Sequence, residues 1–169
     1  MRPLVVVMTG VAGSGKSVVG RLVAAEFGWP FADGDDLHSA ESVAKMRSGR
    51  PLTDAERGPW LRQIARWIGE HSATGGVIAC SALRRAYRDL LREGHPDLRF
   101  ACLTARRDVL AARLADRPAH FMPASLLDSQ LETFEPLAAD EPGATFDTSG
   151  TPEQTAATII AALGGALPA

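Results

Sequence analysis

Cysteine is scarce: Cys80 and Cys102 are the only two in 169 residues. Each sits in an apolar stretch with no C-x-x-C or metal-ligand spacing, which excludes a disulfide framework or cysteine-built metal centre and leaves two buried thiols. Long apolar runs are missing as well. The longest near the start, Leu4 to Met8, is too short for a signal-peptide core and far short of the ~20 residues that span a membrane, so a cytoplasmic chain without membrane contact is expected. Neither sign of charge dominates, with 18 Lys and Arg against 20 Asp and Glu, and without a basic surplus no nucleic-acid binding is expected. Lysine itself is nearly absent, since Lys16 and Lys45 are the only two among the 18 basic residues.

What is present fits one domain over residues 1–169, of which 46% are hydrophobic and 22% charged. Leu4 to Met8 reads as a continuous β-branched strand ending at Gly10, and the apolar positions Val18, Val19, Leu22, Val23 and Phe27 follow helical spacing up to Gly28. Further strands are expected at 30–33, 77–80, 99–103 and 144–148, and further helices at 39–47, from the capping box Thr53-x-x-Glu56, at 82–93, at 107–117, up to about Phe134, and after Thr151-Pro152. Strands alternating with helices predict an α/β fold, a five-stranded parallel sheet covered on both faces, with ligands at the carboxyl ends of the strands.

Gly10-Val-Ala-Gly13-Ser14-Gly15-Lys16-Ser17 matches G-x-x-x-x-G-K-[ST] between a predicted strand and helix. Glycines let successive backbone N–H groups converge on phosphate oxygens, the helix N-terminus adds a positive dipole, Lys16 reaches the β/γ-phosphates, and the Ser17 hydroxyl can ligate Mg²⁺. No N-K-x-D motif follows, which counts against a GTPase. The third strand ends at Cys80-Ser81 without the acidic residue many phosphate-loop proteins place there, so the carboxylate for Mg²⁺ is expected from Asp33. Asp33-Gly-Asp35-Asp36-Leu-His38 closes the second strand at the ligand edge, where Asp35 can accept the proton of an acceptor hydroxyl.

Arg84, Arg88 and Arg92 fall at helical spacing, so three like charges share a face, a cost that a bound anion offsets; Arg84 and Arg88 are the anion candidates, and Arg92 reads as solvated. Arg113 and Arg117 precede a break at Pro118, and a lid over about 113–125 would bring them to the transferring phosphates. Taken singly, His38 and His120 read as surface or core residues, and Trp60 and Trp67 as packing.

The phosphate loop, Asp33-Gly-Asp35-x-x-His38, Lys45-Met46-x-x-Gly49-x-Pro51-Leu52-x-Asp54, Arg57-x-Pro59-Trp60-Leu61, Cys80-Ser81-Ala82-Leu83, Tyr87-Arg88-Asp89-x-Leu91-Arg92, His120-Phe121-Met122-Pro123 and Ser129-Gln130-x-x-Thr133-Phe134-Glu135 together resemble the gluconate kinase family of phosphate-loop kinases. Ser42 stands where that family often has Asn, and Arg84 where it often has Lys. The resemblance implies transfer of the ATP γ-phosphoryl group to the 6-hydroxyl of D-gluconate with Mg²⁺, a fold like shikimate and nucleoside-monophosphate kinases, and a homodimer. It makes Lys16, Asp35 and Arg117 catalytic and gives the nucleotide Gly10, Gly13, Ser14, Gly15, Lys16, Ser17, Arg113 and Arg117. Asp35, His38, Arg57, Arg84, Arg88 and His120 go to the substrate, with Ser17 and Asp33 to the metal. A relative acting on another small hydroxylated acid such as shikimate stays open, although shikimate kinases usually carry a glycine triplet where this chain has Cys80-Ser81-Ala82. So does a catalytically idle nucleotide-binding module, which would more readily have lost Lys16 or Asp35.

Overall fold

The computed structural model describes residues 2–116 and 125–165. Strands β1 (Val5–Thr9), β2 (Phe31–Asp33), β3 (Gly76–Ala79), β4 (Leu98–Thr104) and β5 (Gly143–Asp147) form one parallel sheet in the order β2-β3-β1-β4-β5. The helices are α1 (Lys16–Phe27), α2 (Ala40–Arg47), α3 (Asp54–His71), α4 (Arg85–Arg92), α5 (Arg107–Ala115), α6 (Ser125–Thr133) and α7 (Pro152–Gly164).

The period of two along β1 sorts its side chains between two cores. Val5 and Val7 pack with Ile64 and Ile68 of α3 and Leu91 of α4. Val6 and Met8 pack with Val19 and Val23 of α1 and Ile159 of α7 on the other face. A central parallel strand buried on both sides therefore reads as an unbroken apolar run, as it does here. A third cluster, Val11, Ala12, Leu83, Leu110, Leu114 and Leu127, lies under the phosphate loop. No described helix is long and apolar enough to cross a membrane, and both cysteines are free and buried.

Two expectations need correction. The helix after β3 begins at Arg85 rather than at position 82, because Ala82 takes φ +37° and Arg84 is extended. Arg88, expected to bind a substrate anion, is instead inside the core with 1% of its side chain exposed. Its Nε and Nη2 donate to Glu141 at 2.6 and 2.9 Å, and its Nη1 reaches the carbonyls of Ala82, Leu83 and Glu135. A guanidinium has five N–H donors, and these partners together with the Pro136 carbonyl occupy that fork. Equal helical spacing of three arginines says nothing about depth, and Arg88 lies on the inward side of α4 beside Tyr87 and Leu91.

Burial alone would raise the Glu141 carboxyl, but the Arg88 guanidinium and the Ala138 N–H override it and hold it below the usual carboxylate range. The stability from that shift is present at neutral pH and is lost as acid takes the pH down through the lowered value. Arg88→Met is expected to cost about 3–5 kcal/mol in urea denaturation at pH 7, since it leaves Glu141 buried and unpaired, and Arg88→Met with Glu141→Leu is expected to lose less than the single variant. Equal losses in the two would show that the buried charge is not what matters.

Candidate active site

β1 delivers the chain to Gly10 at the carboxyl edge of the sheet, and the loop from there to Ser17 turns back under α1. Gly10 has φ +135° and a Cβ on it would lie 2.4 Å from the Leu103 carbonyl oxygen; at Gly13 the values are +81° and 2.9 Å, from Leu110. Both positions need glycine for conformation and for space. Gly15 caps α1 without a side-chain hydrogen bond, and no acidic residue occupies the first turn. The start of α1 thus carries neither a capping side chain nor an acid of its own, as suits an anion site. Ser14 is fully buried within the loop, and the Lys16 ammonium donates to the Val11 carbonyl at 3.0 Å.

Asp33 ends β2 beside α1. Its Oδ2 accepts the Ser17 hydroxyl at 2.6 Å, and its Oδ1 accepts the Asp35 N–H at 3.1 Å, capping a short 3-10 turn over Gly34–Leu37. A hydroxyl and a carboxylate in contact at a phosphate loop are hard oxygen donors of the kind that share Mg²⁺ with nucleotide phosphates. Among the described residues there is no cluster of three or more His, Cys, Asp or Glu that would cage a metal by itself. The donor set therefore suits an ion that arrives with its phosphates.

A cleft opens beside the loop, and Lys16, Ser17, Asp35, His38, Arg57 and Gln130 all line it. His38 stacks on Trp60 with ring centroids 4.3 Å apart, and Trp60 Nε1 donates to the Gly34 carbonyl at 2.6 Å. Trp60 is therefore more than packing, because it fixes the turn that carries Asp35. Arg57 is held by the Tyr87 hydroxyl at 3.1 Å and by Asp54 at 3.7 Å, and Tyr87 donates in turn to Asp54. Burial, with the Asp54 hydrogen bond, pushes the Tyr87 phenol up, so it stays a donor. Arg84 sits at the start of α4, 3.5 Å from Asp54 and partly exposed.

On the far side of the loop Arg113 donates to the Thr148 hydroxyl at 3.0 Å, to the Thr148 carbonyl, and to the Gly13 carbonyl at 3.4 Å. It lines a second depression with Ser14, Gly15, Val18 and Pro152. Arg117 and His120 lie outside the described residues, as does 117–124 of the expected lid. The structure thus brings Lys16, Ser17, Asp33, Asp35, His38 and Arg57 together, sets Arg84 at the margin, and removes Arg88. Sequence reasoning missed Asp54, Tyr87 and Gln130 as site residues. Only their presence in the quoted motifs pointed to them.

A parallel sheet with this strand order, a phosphate loop feeding an open helix N-terminus, and a carboxylate-lined cleft next to it define a phosphate-loop small-molecule kinase. The shikimate kinase family model matches residues 12–164. A gluconokinase of Gluconobacter oxydans is 44% identical over 84% of this chain and 81% of its own. The unliganded crystal structure of a sugar kinase from Janibacter superposes with a TM-score of 0.89 at 44% identity, covering 96% of this chain and 95% of that one. A gluconokinase from Sinorhizobium meliloti superposes at 0.87 and 41%, covering 98% and 94%. The chain belongs to the gluconokinase family, within the wider group that the shikimate kinase model describes.

Burial lowers the His38 pKa from its ordinary 6.5, Asp35 opposes that, and Arg57 adds to it. The imidazole is thus neutral at pH 7, and the stability tied to its neutral form is lost as pH falls from the ordinary value through the lowered one. A proton NMR titration is expected to give a His38 midpoint below 6.5, and Asp35→Asn is expected to lower it further. A midpoint above the ordinary value would contradict the burial argument.

Proposed function

We propose that the protein transfers the γ-phosphoryl group of ATP, as its Mg²⁺ complex, to the 6-hydroxyl of D-gluconate. The observation that carries this reading is the division of labour between two carboxylates: Asp33 touches Ser17, whereas Asp35 lines the cleft beside Lys16 and Arg57. One is suited to the metal and the other to the proton of the acceptor hydroxyl. Phosphoryl transfer needs little covalent chemistry from the protein, so catalysis rests on positioning and on charge aimed at the transferring group. The nucleotide phosphates would be held by the loop from Gly10 to Ser17, and Mg²⁺ by Ser17 and Asp33, where it would offset phosphate charge.

Arg113 stands on the nucleotide side of the loop. With Arg88 withdrawn into the core, Arg57 is, among the described residues, the guanidinium that lines the cleft and can meet a carboxylate, and His38 remains for hydroxyls. Arg84 can serve only from the margin. Arg117 and His120 keep, in this proposal, the phosphate and substrate roles that the sequence gives them. A single domain, a cytoplasmic location and a homodimer belong to the same proposal.

An open-chain polyol acid offers one carboxylate and several hydroxyls, which suits a cleft whose described lining includes Arg57, Asp35 and His38. Under saturating Mg-ATP, a coupled ADP-release assay is expected to show glucose and shikimate at least about 10²-fold below D-gluconate in kcat/KM, because glucose lacks a carboxylate for Arg57 and the rigid ring of shikimate misplaces its hydroxyl from Asp35. Comparable turnover of shikimate would favour the second reading, in line with the family model that matches.

Lys16→Ala is expected to melt like wild type yet lose on the order of 10²-fold or more in kcat, as loss of a contact to developing charge does. Asp33→Asn is expected to raise the Mg²⁺ needed for half-maximal rate. Asp35→Asn should lower kcat with little change in ATP binding. Reversal of the two Asp phenotypes would reverse their roles.

A further inference from the structure

α6 turns an apolar face inward. Leu127 packs with Val11, Ala12 and Leu110 beneath the phosphate loop, and Leu126 with Met46 and Leu52 beside the cleft. Three and four positions on, the helical repeat returns residue 130 to that face. An apolar residue is expected there, and the chain has Gln130. Its side chain lines the cleft with Lys16, Asp35 and Arg57, and its Oε1 accepts the Ala12 N–H at 2.7 Å.

That bond decides which way the carboxamide faces. A backbone N–H is only a donor, so the atom opposite it must be the oxygen and the NH₂ end is turned the other way. The helix is also tied down on both sides of Gln130. Arg107 grips Asp128 through two bonds at 2.7 and 2.8 Å. Beyond α6, the Glu135 N–H bonds the Leu83 carbonyl at 2.8 Å, and its Oε2 accepts the Arg85 N–H at 2.7 Å. Gln130 is thus a donor of fixed orientation on a rigid element.

We propose that Gln130 is a substrate-positioning residue: its oxygen holds the Ala12 N–H of the phosphate loop while its NH₂ donates to an oxygen of the bound sugar acid. One side chain then keeps acceptor and loop in register. The inference rests on the cleft being the acceptor site. Asp35 takes a proton from the substrate, and Arg57 serves its charge. A neutral donor meets a hydroxyl or carboxylate oxygen without adding cation beside Lys16.

Gln130→Glu keeps the shape and an oxygen for Ala12, and converts only the donor end into a charged acceptor. D-gluconate is titrated calorimetrically into wild type, Gln130→Glu and Gln130→Leu, each saturated with Mg-ADP. Mg-ADP is titrated separately, and thermal melting is followed alongside. Gln130→Glu is expected to weaken gluconate by on the order of 10²-fold, since a substrate oxygen then faces a carboxylate. KM for gluconate should rise in proportion, while Mg-ADP affinity and Tm stay near wild type. Gln130→Leu, which loses both ends, should weaken both ligands. Wild-type gluconate affinity in Gln130→Glu, or equal weakening of both ligands in it, would make Gln130 a brace of the loop alone and overturn the proposal. Wild-type protein that binds a different acid would refute gluconate as the substrate, and the same contrast run with that acid then decides Gln130.

Discussion

The ion pair between Arg88 and Glu141 holds the turn on which the phosphate loop hangs. After β3 the chain must cross the top of β1 in a few residues, and it does so with Ala82 at φ +37° and fully buried. For a residue with a Cβ that conformation costs about 1–3 kcal/mol. Arg88 offsets it by donating to the carbonyls of Ala82 and Leu83, and Glu141 makes a buried guanidinium tolerable. The turn then offers its Ser81 carbonyl to the Gly10 N–H at 3.2 Å and to the Thr9 hydroxyl. An arginine at helical spacing from the site has gone inward to supply that compensation.

The same economy governs the acidic turn. In a continuing strand, positions 33 and 35 would point to the same side of the sheet. The 3-10 turn that begins at Gly34 breaks the alternation. A Cβ on Gly34 would lie 2.5 Å from the Ala79 carbonyl oxygen, so the turn can pack this close to β3 only with glycine at that position. Trp60 then clamps the Gly34 carbonyl. The outcome is two carboxylates two residues apart, one beside Ser17 and one in the cleft.

How much of this was legible follows from which signals are local. The strand, loop and first helix were readable to within a residue or so, because β-branched runs, glycines and caps act over a few positions. That Asp33 and Ser17 lie together is in keeping with the elimination that turned to Asp33 because β3 offered no acid. Arg88 was misread because periodicity reports a face of a helix and not its depth; only the fold brings Glu141 to it across 53 residues. Tyr87, Asp54 and Gln130 were illegible for a related reason. Their roles are bonds across 33 and 118 residues, which no local pattern reports, even where, as at Gln130, a polar residue stands on an apolar helix face.

Lys45, the second of the two lysines, has a structural use. Its ammonium bonds both oxygens of Glu56 at 2.8 and 2.9 Å, and that contact with the Thr53 N–H draws the Glu56 carboxyl down to about 2. Glu56 closes the capping box of α3, the helix that carries Arg57 and Trp60. α7 has its own box from Thr151 and Gln154, and Ser39 caps α2. The first N–H of α4 is taken by Glu135, and α5 has Asp108 in its first turn. Among the helices with a described cap, α1 has neither a side-chain acceptor nor an acid in its first turn. The positive end of a helix favours an anion. A chain that places capping or acidic side chains at the starts of α2, α3, α4, α5 and α7 and none at that of α1 leaves the α1 end suited to a phosphate.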